Sequence, residues 1–186
     1  MGLDRSTLLR DLGLRVITLP LEIHPEIPVG GLSLADRWGS HYGEALQMYE
    51  RIEAACQEAG LPFNRPARVP NTRRALATAE WARRNAPDAA LALERAMFEA
   101  QFVDNRPLDD PDVVDDLVRA AGADADEARR AYEAGEMDDA VMAAKATASS
   151  LGINATPTWI IGGRVLVPGA VPRDVFRKVV DDLEAG

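Results

Sequence analysis

"NATPTWIIGGRVLVPGAVPRDVFRKVVDDLEAG" occupies Asn154–Gly186 and closes the chain. Its apolar residues change period within a few positions. "PTWIIGG" and "RVLVPG" are short β-rich runs on either side of Gly162 and Gly163, the pattern of a β-hairpin whose turn needs left-handed residues. The spacing predicts strands over Thr158–Ile161 and Arg164–Val167. Pro172 then opens a helix, because proline suits a first helical turn. Val175, Phe176, Val179, Val180 and Leu183 fall on one face of that helix, ready to lie on a sheet.

Upstream of the hairpin the pattern is helical. Ser33 with Asp36 has the form of a helix cap, and Tyr42, Leu46, Tyr49, Ile52 and Cys56 follow at helical spacing. Asn71 stands where it can cap "TRRALATAEWARRN". Pro87 sits near the first turn of "DAALALERAMFEAQF", Asp110 and Pro111 start another helix, and Gly135 stops "DADEARRAYEAG". "MDDAVMAAKATASSLG" is the last helix of the block. Before the block, "LRVITLPLEI" (Leu14–Ile23) is β-branched and apolar, which predicts a buried strand over Leu14–Leu19. "MGLDRSTLLRDL" reads as a helix whose Leu3, Leu8, Leu9 and Leu12 face the sheet. The order is strand, helical block, hairpin, helix: an α/β domain made of residues 1–32 and 152–186, with residues 33–151 as an all-helical insertion.

The composition fits one such domain. The chain has 186 residues, of which 47% are hydrophobic, enough for a core. A net charge of −9 argues against a nucleic-acid footprint and against an anionic membrane surface. No run of apolar residues is long enough to span a bilayer. "MGLDRSTLLRDLG" lacks the apolar core and cleavage site of a signal peptide, and the single cysteine, Cys56, excludes a disulfide within the sequence. A cytoplasmic location is the expectation.

With Thr156-Pro157 as its anchor, the sequence resembles the DsbA-like branch of the thioredoxin superfamily, which includes dithiol–disulfide oxidoreductases and 2-hydroxychromene-2-carboxylate isomerases. The matching pieces are "LPLEIHPEIPVGG", "GLPF", "NTRRALATAEWAR" and "LGINATPTWIIGGRVLVPGAVPRDVF". They occur in the family's order over nearly the whole chain. The resemblance implies a thioredoxin-like sheet with a long helical insertion and a cis bond before Pro157. It also implies that the backbone of Thr156 faces the active site, where it can pair with a thiol peptide or with the glutamyl end of glutathione. No cofactor is implied beyond glutathione as a thiol substrate.

The same resemblance exposes a gap. A working member carries a first strand followed by Cys-x-x-Cys, or by a Ser or Cys in the isomerases, at a helix N-terminus that stabilises the thiolate. This sequence has no Cys-x-x-Cys, and the residues before Leu14 are helical in pattern. The expectation is a fold whose first strand and catalytic helix start are missing. The favoured account is that Met1 is an internal methionine of a longer reading frame. The others are a variant that pairs with another chain, as a homodimer, and a rearranged sheet. Function is therefore read as oxidoreductase-like but inactive in dithiol exchange. The alternatives are a glutathione-dependent isomerase-like protein and a non-catalytic binding or assembly protein.

Other polar residues are weighed on their own chemistry. His24 follows the expected strand, where it can act as a proton donor at the sheet rim or stay a surface residue. Asn71 is a candidate for the substrate cleft or a plain helix cap. Cys56, on an apolar helix face, reads as core. His41 has no second ligand at metal spacing. The Asp109-Asp110 and Asp138-Asp139 pairs read as caps, Trp159 as core or cleft wall, and Gly162-Gly163 lacks the residues of a phosphate loop.

Overall fold

The structure, a computed structural model, describes residues 2–185. Along the chain come α1 (Gly2–Asp11), β1 (Leu32–Ser33), α2 (Leu34–Trp38), a 3-10 turn (Gly39–His41), α3 (Tyr42–Glu58), β2 (Arg68–Val69), α4 (Arg73–Asn85) and α5 (Pro87–Phe102). Then follow α6 (Pro111–Ala120), α7 (Ala125–Glu133), α8 (Asp138–Ser150), β3 (Thr158–Ile161), β4 (Val165–Pro168) and α9 (Arg173–Glu184). The chain divides into two compact units, one of Met1–Thr18 with Ala146–Gly186 and the other of Leu19–Lys145.

The first unit is built on the expected hairpin. β3 and β4 pair antiparallel, with Thr158 opposite Pro168, Trp159 opposite Val167, Ile160 opposite Leu166 and Ile161 opposite Val165. The turn is glycine for a physical reason. Gly162 has φ +59°, and a Cβ there would stand 3.1 Å from Leu183 of α9. One face of the hairpin closes on α1 and α9, where Leu8, Leu9, Ile161, Val167, Phe176 and Val180 form a buried cluster. Phe176 is fully buried, which contributes about 1.5–3 kcal/mol for the side chain. Trp159 meets the Phe176 ring edge-on at 5.5 Å between centroids. Polar ties add to the packing: Arg5 donates through Nε to the Val171 carbonyl at 2.8 Å, and Arg173 pairs with Asp4 at 2.6 Å.

The expected strand over Leu14–Leu19 is corrected. This run joins no ladder among the described residues, and the Leu14 N–H donates to the Leu9 carbonyl at 3.0 Å. Leu14 and Val16 are partly buried against the α1–α9 cluster, while Arg15 and Ile17 are exposed. The two-residue alternation of a strand is thus present. It is imposed by packing on the core, and a β-strand also needs a neighbour to bond to.

The second unit is a helical block. Trp81 and Ala82 of α4, Leu93 and Met97 of α5, Val114 and Val118 of α6 and Ala128 of α7 share one buried core. Caps set the helix starts. The Ser33 hydroxyl accepts from the Asp36 N–H, the Asp110 carboxylate from Asp112, and that of Asp124 from Asp126 and Glu127. Pro87 and Pro111 occupy first turns, as their sequence positions predict. The block is not purely helical, however. β1 and β2 form a two-residue antiparallel ladder, Leu32 opposite Val69 and Ser33 opposite Arg68. Such a ladder is too short to show a period in sequence. Gly31, at φ +67°, lets the chain pass β2, since a Cβ there would lie 2.6 Å from the Val69 carbonyl oxygen.

Candidate functional site

The turn before β3 is the feature most open to a ligand. The Thr156–Pro157 bond is cis, as the resemblance implies. The Pro157 carbonyl accepts a hydrogen bond from the Gly169 N–H at 2.7 Å, which extends the β3–β4 ladder by one position. Thr158 anchors the turn from the other side, its hydroxyl donating to the Ala155 carbonyl at 2.8 Å. Thr156 itself is exposed, and among the described residues its backbone N–H and C=O have no partner. The residue thus offers one free donor and one free acceptor, which is what an extended peptide needs in order to pair.

The first turn of α1 borders this site. A Cβ added at Gly2 would lie 3.7 Å from Cβ of Pro157, so a side chain at this position would reach the proline ring. The unbonded N–H groups of a helix start favour an anion or a thiolate beside it. Among the described residues of α1 no cysteine takes up that position, and Ser6 is buried further along the helix. Behind the turn, Trp159 forms wall rather than chemistry. Its indole Nε1 is buried without a hydrogen-bond partner, and its ring is held on Phe176.

The other sequence candidates lie in the second unit. Asn71 is engaged at both ends of its amide. Its Nδ2 donates to the Ile27 carbonyl at 2.6 Å, and its Oδ1 accepts from the Arg73 N–H at 3.0 Å. Ile27 in turn donates its N–H to the His24 carbonyl at 3.2 Å, so Asn71 and His24 are joined through the backbone of one buried residue. The His24 ring is exposed, with Nδ1 3.3 Å from Glu26 and 3.4 Å from an Arg37 guanidinium nitrogen. Arg37 also binds Glu26 at 3.1 Å. Asn71 thus works as a clip between the loop carrying His24 and the start of α4.

Cys56 is buried on α3 at 7% exposure. His41 reaches only Glu44, at 3.2 Å, on the surface. Among the described residues no group of three or more His, Cys, Asp or Glu side chains is placed to hold a metal ion. No helix among them is long and apolar enough to cross a membrane.

Two clusters carry no marked motif in the sequence. Glu80 is buried in α4 at 3% side-chain exposure, with Arg83 and Arg84 each 2.6 Å away. The Arg83 hydrogen bonds hold its carboxyl below the usual range, Arg84 adds to this, and burial opposes it. Asp115, also buried, is bound by Arg129 of α7, and that pairing raises the Arg129 guanidinium further. Both are framework contacts. For the first, the spacing of Glu80 to Arg83 and Arg84 at three and four residues is the signal a sequence can offer.

The sequence profile of the DSBA-like thioredoxin domain matches residues 3–181. The chain belongs to the DSBA-like thioredoxin domain family. This DsbA-family chain is also similar to the crystal structure of the probable DsbA oxidoreductase SCO1869 from Streptomyces coelicolor. The TM-score is 0.85 at 21% identity, covering 97% of this chain and 82% of that one. At that identity the likeness shows the fold alone: a thioredoxin-like α/β scaffold with a large helical insertion. A curated relative, the uncharacterized protein YwbO of Bacillus subtilis (strain 168), is 33% identical over 87 residues, 46% of this chain. The match spans 43% of that relative, less than half its length. The DsbA-family chain carries one cysteine, buried, and no Cys-x-x-Cys.

Proposed function

We propose that this DsbA-family chain binds an extended thiol-bearing peptide, or glutathione, at Thr156–Pro157 without exchanging disulfides. The observation that carries the reading is the exposed, unpartnered backbone of Thr156, with α1 close enough that a Cβ added at Gly2 would meet Pro157. A donor and an acceptor on one residue recognise the backbone of an extended ligand, and the helix start favours a thiolate or carboxylate. Dithiol exchange needs two thiols that can meet, and this sequence has one.

The test is an amide titration by NMR with glutathione and with a cysteine-containing peptide. The Thr156 amide should shift saturably with at least one of them, while insulin disulfides are not reduced. A Thr156 amide unmoved by millimolar ligand overturns the binding half. Insulin turnover by this sequence overturns the other half.

A further inference from the structure

The turn end of the β3–β4 hairpin forms a groove against α9. Its volume is about 340 Å³, within the range of small-molecule sites, and it is lined by Arg164, Val165, Val179, Asp182 and Leu183. β3 begins beside Pro157 and ends at the Gly162 turn, so the groove and the Thr156 turn lie at opposite ends of one strand.

Three branched aliphatic side chains make the floor. Val165, Val179 and Leu183 pack on the buried cluster of the first unit and stay partly exposed on the groove side. Val179 and Leu183 stand one turn apart on α9, about 6 Å along the helix axis. The glycine turn fixes the wall at that end, because Leu183 occupies space that a Cβ on Gly162 would contest at 3.1 Å.

The charges at the rim differ in what they already hold. Asp182 takes the Lys178 ammonium at 2.7 Å, and these two charges offset one another. The exposed Arg164 side chain has no hydrogen-bond or ion-pair partner among the described residues. The groove thus presents one uncompensated cation beside an apolar floor. A guanidinium holds a carboxylate through two parallel hydrogen bonds, and the floor takes an aliphatic chain out of water.

We infer that this groove is a binding site for a small aliphatic carboxylate, with the carboxylate on Arg164 and the chain across Val165, Val179 and Leu183. The cation selects an acid over an amine, and the floor selects a chain over a bare carboxylate. The site shares no residue with the Thr156–Pro157 turn and does not rest on the thiol-binding reading.

The experiment is an amide titration by NMR with hexanoate, beside acetate and hexylamine as probes that each lack one of the two features. Hexanoate should shift the Gly162–Val165 amides saturably, with a dissociation constant on the order of 1 mM. Acetate and hexylamine should each bind at least about tenfold more weakly. Arg164→Gln removes a side chain that no intrachain bond uses, so its melting temperature should match the wild type while hexanoate binding weakens about tenfold. Arg164→Lys, which keeps the charge and loses the paired donors, should fall between the two. Amides that do not saturate with hexanoate overturn the inference, and so does Arg164→Gln binding it as the parent does. Equal binding of acetate overturns it as well, since the floor then contributes nothing, and equal binding of hexylamine removes the role of the charge. The Thr156 amide is read in the same spectra, so either proposal can fail while the other stands.

Discussion

Gly2 faces Pro157 across the space of one side chain: a Cβ added to this residue of α1 would stand 3.7 Å from Cβ of the proline. The contact distance is ordinary, so a side chain fits. A thiol placed there would meet the unbonded N–H groups of the helix start. Gly2→Cys, made with Cys56→Ser so that one thiol is present, should give a thiol pKa about one unit below the usual value of about 8.5. The pH dependence of alkylation by iodoacetamide measures it. An unshifted or raised value would mean that the start of α1 exerts no useful field at the proline.

Cys56 should behave as core. At 7% exposure its thiol should react with a thiol reagent far more slowly in the folded chain than in denaturant. Cys56→Ala should cost about 1 kcal/mol by urea denaturation. Rapid modification of the folded chain would show that α3 opens or that the residue is a reactive thiol.

Glu80 sets an acid limit on stability. Its carboxyl is held below the ordinary 4.5, chiefly by the Arg83 hydrogen bonds. A folded value below the unfolded one means the unfolded chain takes up protons first. The contribution is therefore complete above the unfolded value and is lost as pH falls through the folded one. Glu80→Gln should cost about 1–3 kcal/mol at pH 7, because the arginines lose a charged acceptor in a buried place. The gap between wild type and variant in urea unfolding should close as pH is lowered from about 5 to 3. A gap independent of pH would assign the loss to packing alone.

Gly31 is a backbone requirement. Gly31→Ala combines a left-handed φ of +67° with a Cβ 2.6 Å from the Val69 carbonyl oxygen. The loss should exceed about 1 kcal/mol in urea unfolding, and amide protection along Arg68–Val69 should fall. Full stability in this variant would show that β1 and β2 can separate without consequence.

How much of the fold is legible in the sequence follows from what each element depends on. The hairpin is readable because its alternation, its Gly-Gly turn and the start of α9 are local signals, and β3 falls on Thr158–Ile161. The helix caps at Ser33 and Asp110 are readable for the same reason. The run Leu14–Leu19 has the residue types of a strand. Its lack of a ladder depends on a neighbour that no local pattern reveals. β1 and β2 pair through residues far apart in sequence and show no period at all. At the site, Pro157 is marked by its motif. The engagement of Asn71 by Ile27 joins two loops that only the fold brings together.

Pro168 has a consequence for the largest object this protein can form. A hairpin with two open edges could be extended from both sides, and chains joined that way propagate into fibres. With proline on the outward side of β4, the ladder on that side lacks one donor. A strand arriving at that side would lose the ladder bond that Pro168 cannot donate, so pairing there should be weaker than along an edge of ordinary residues.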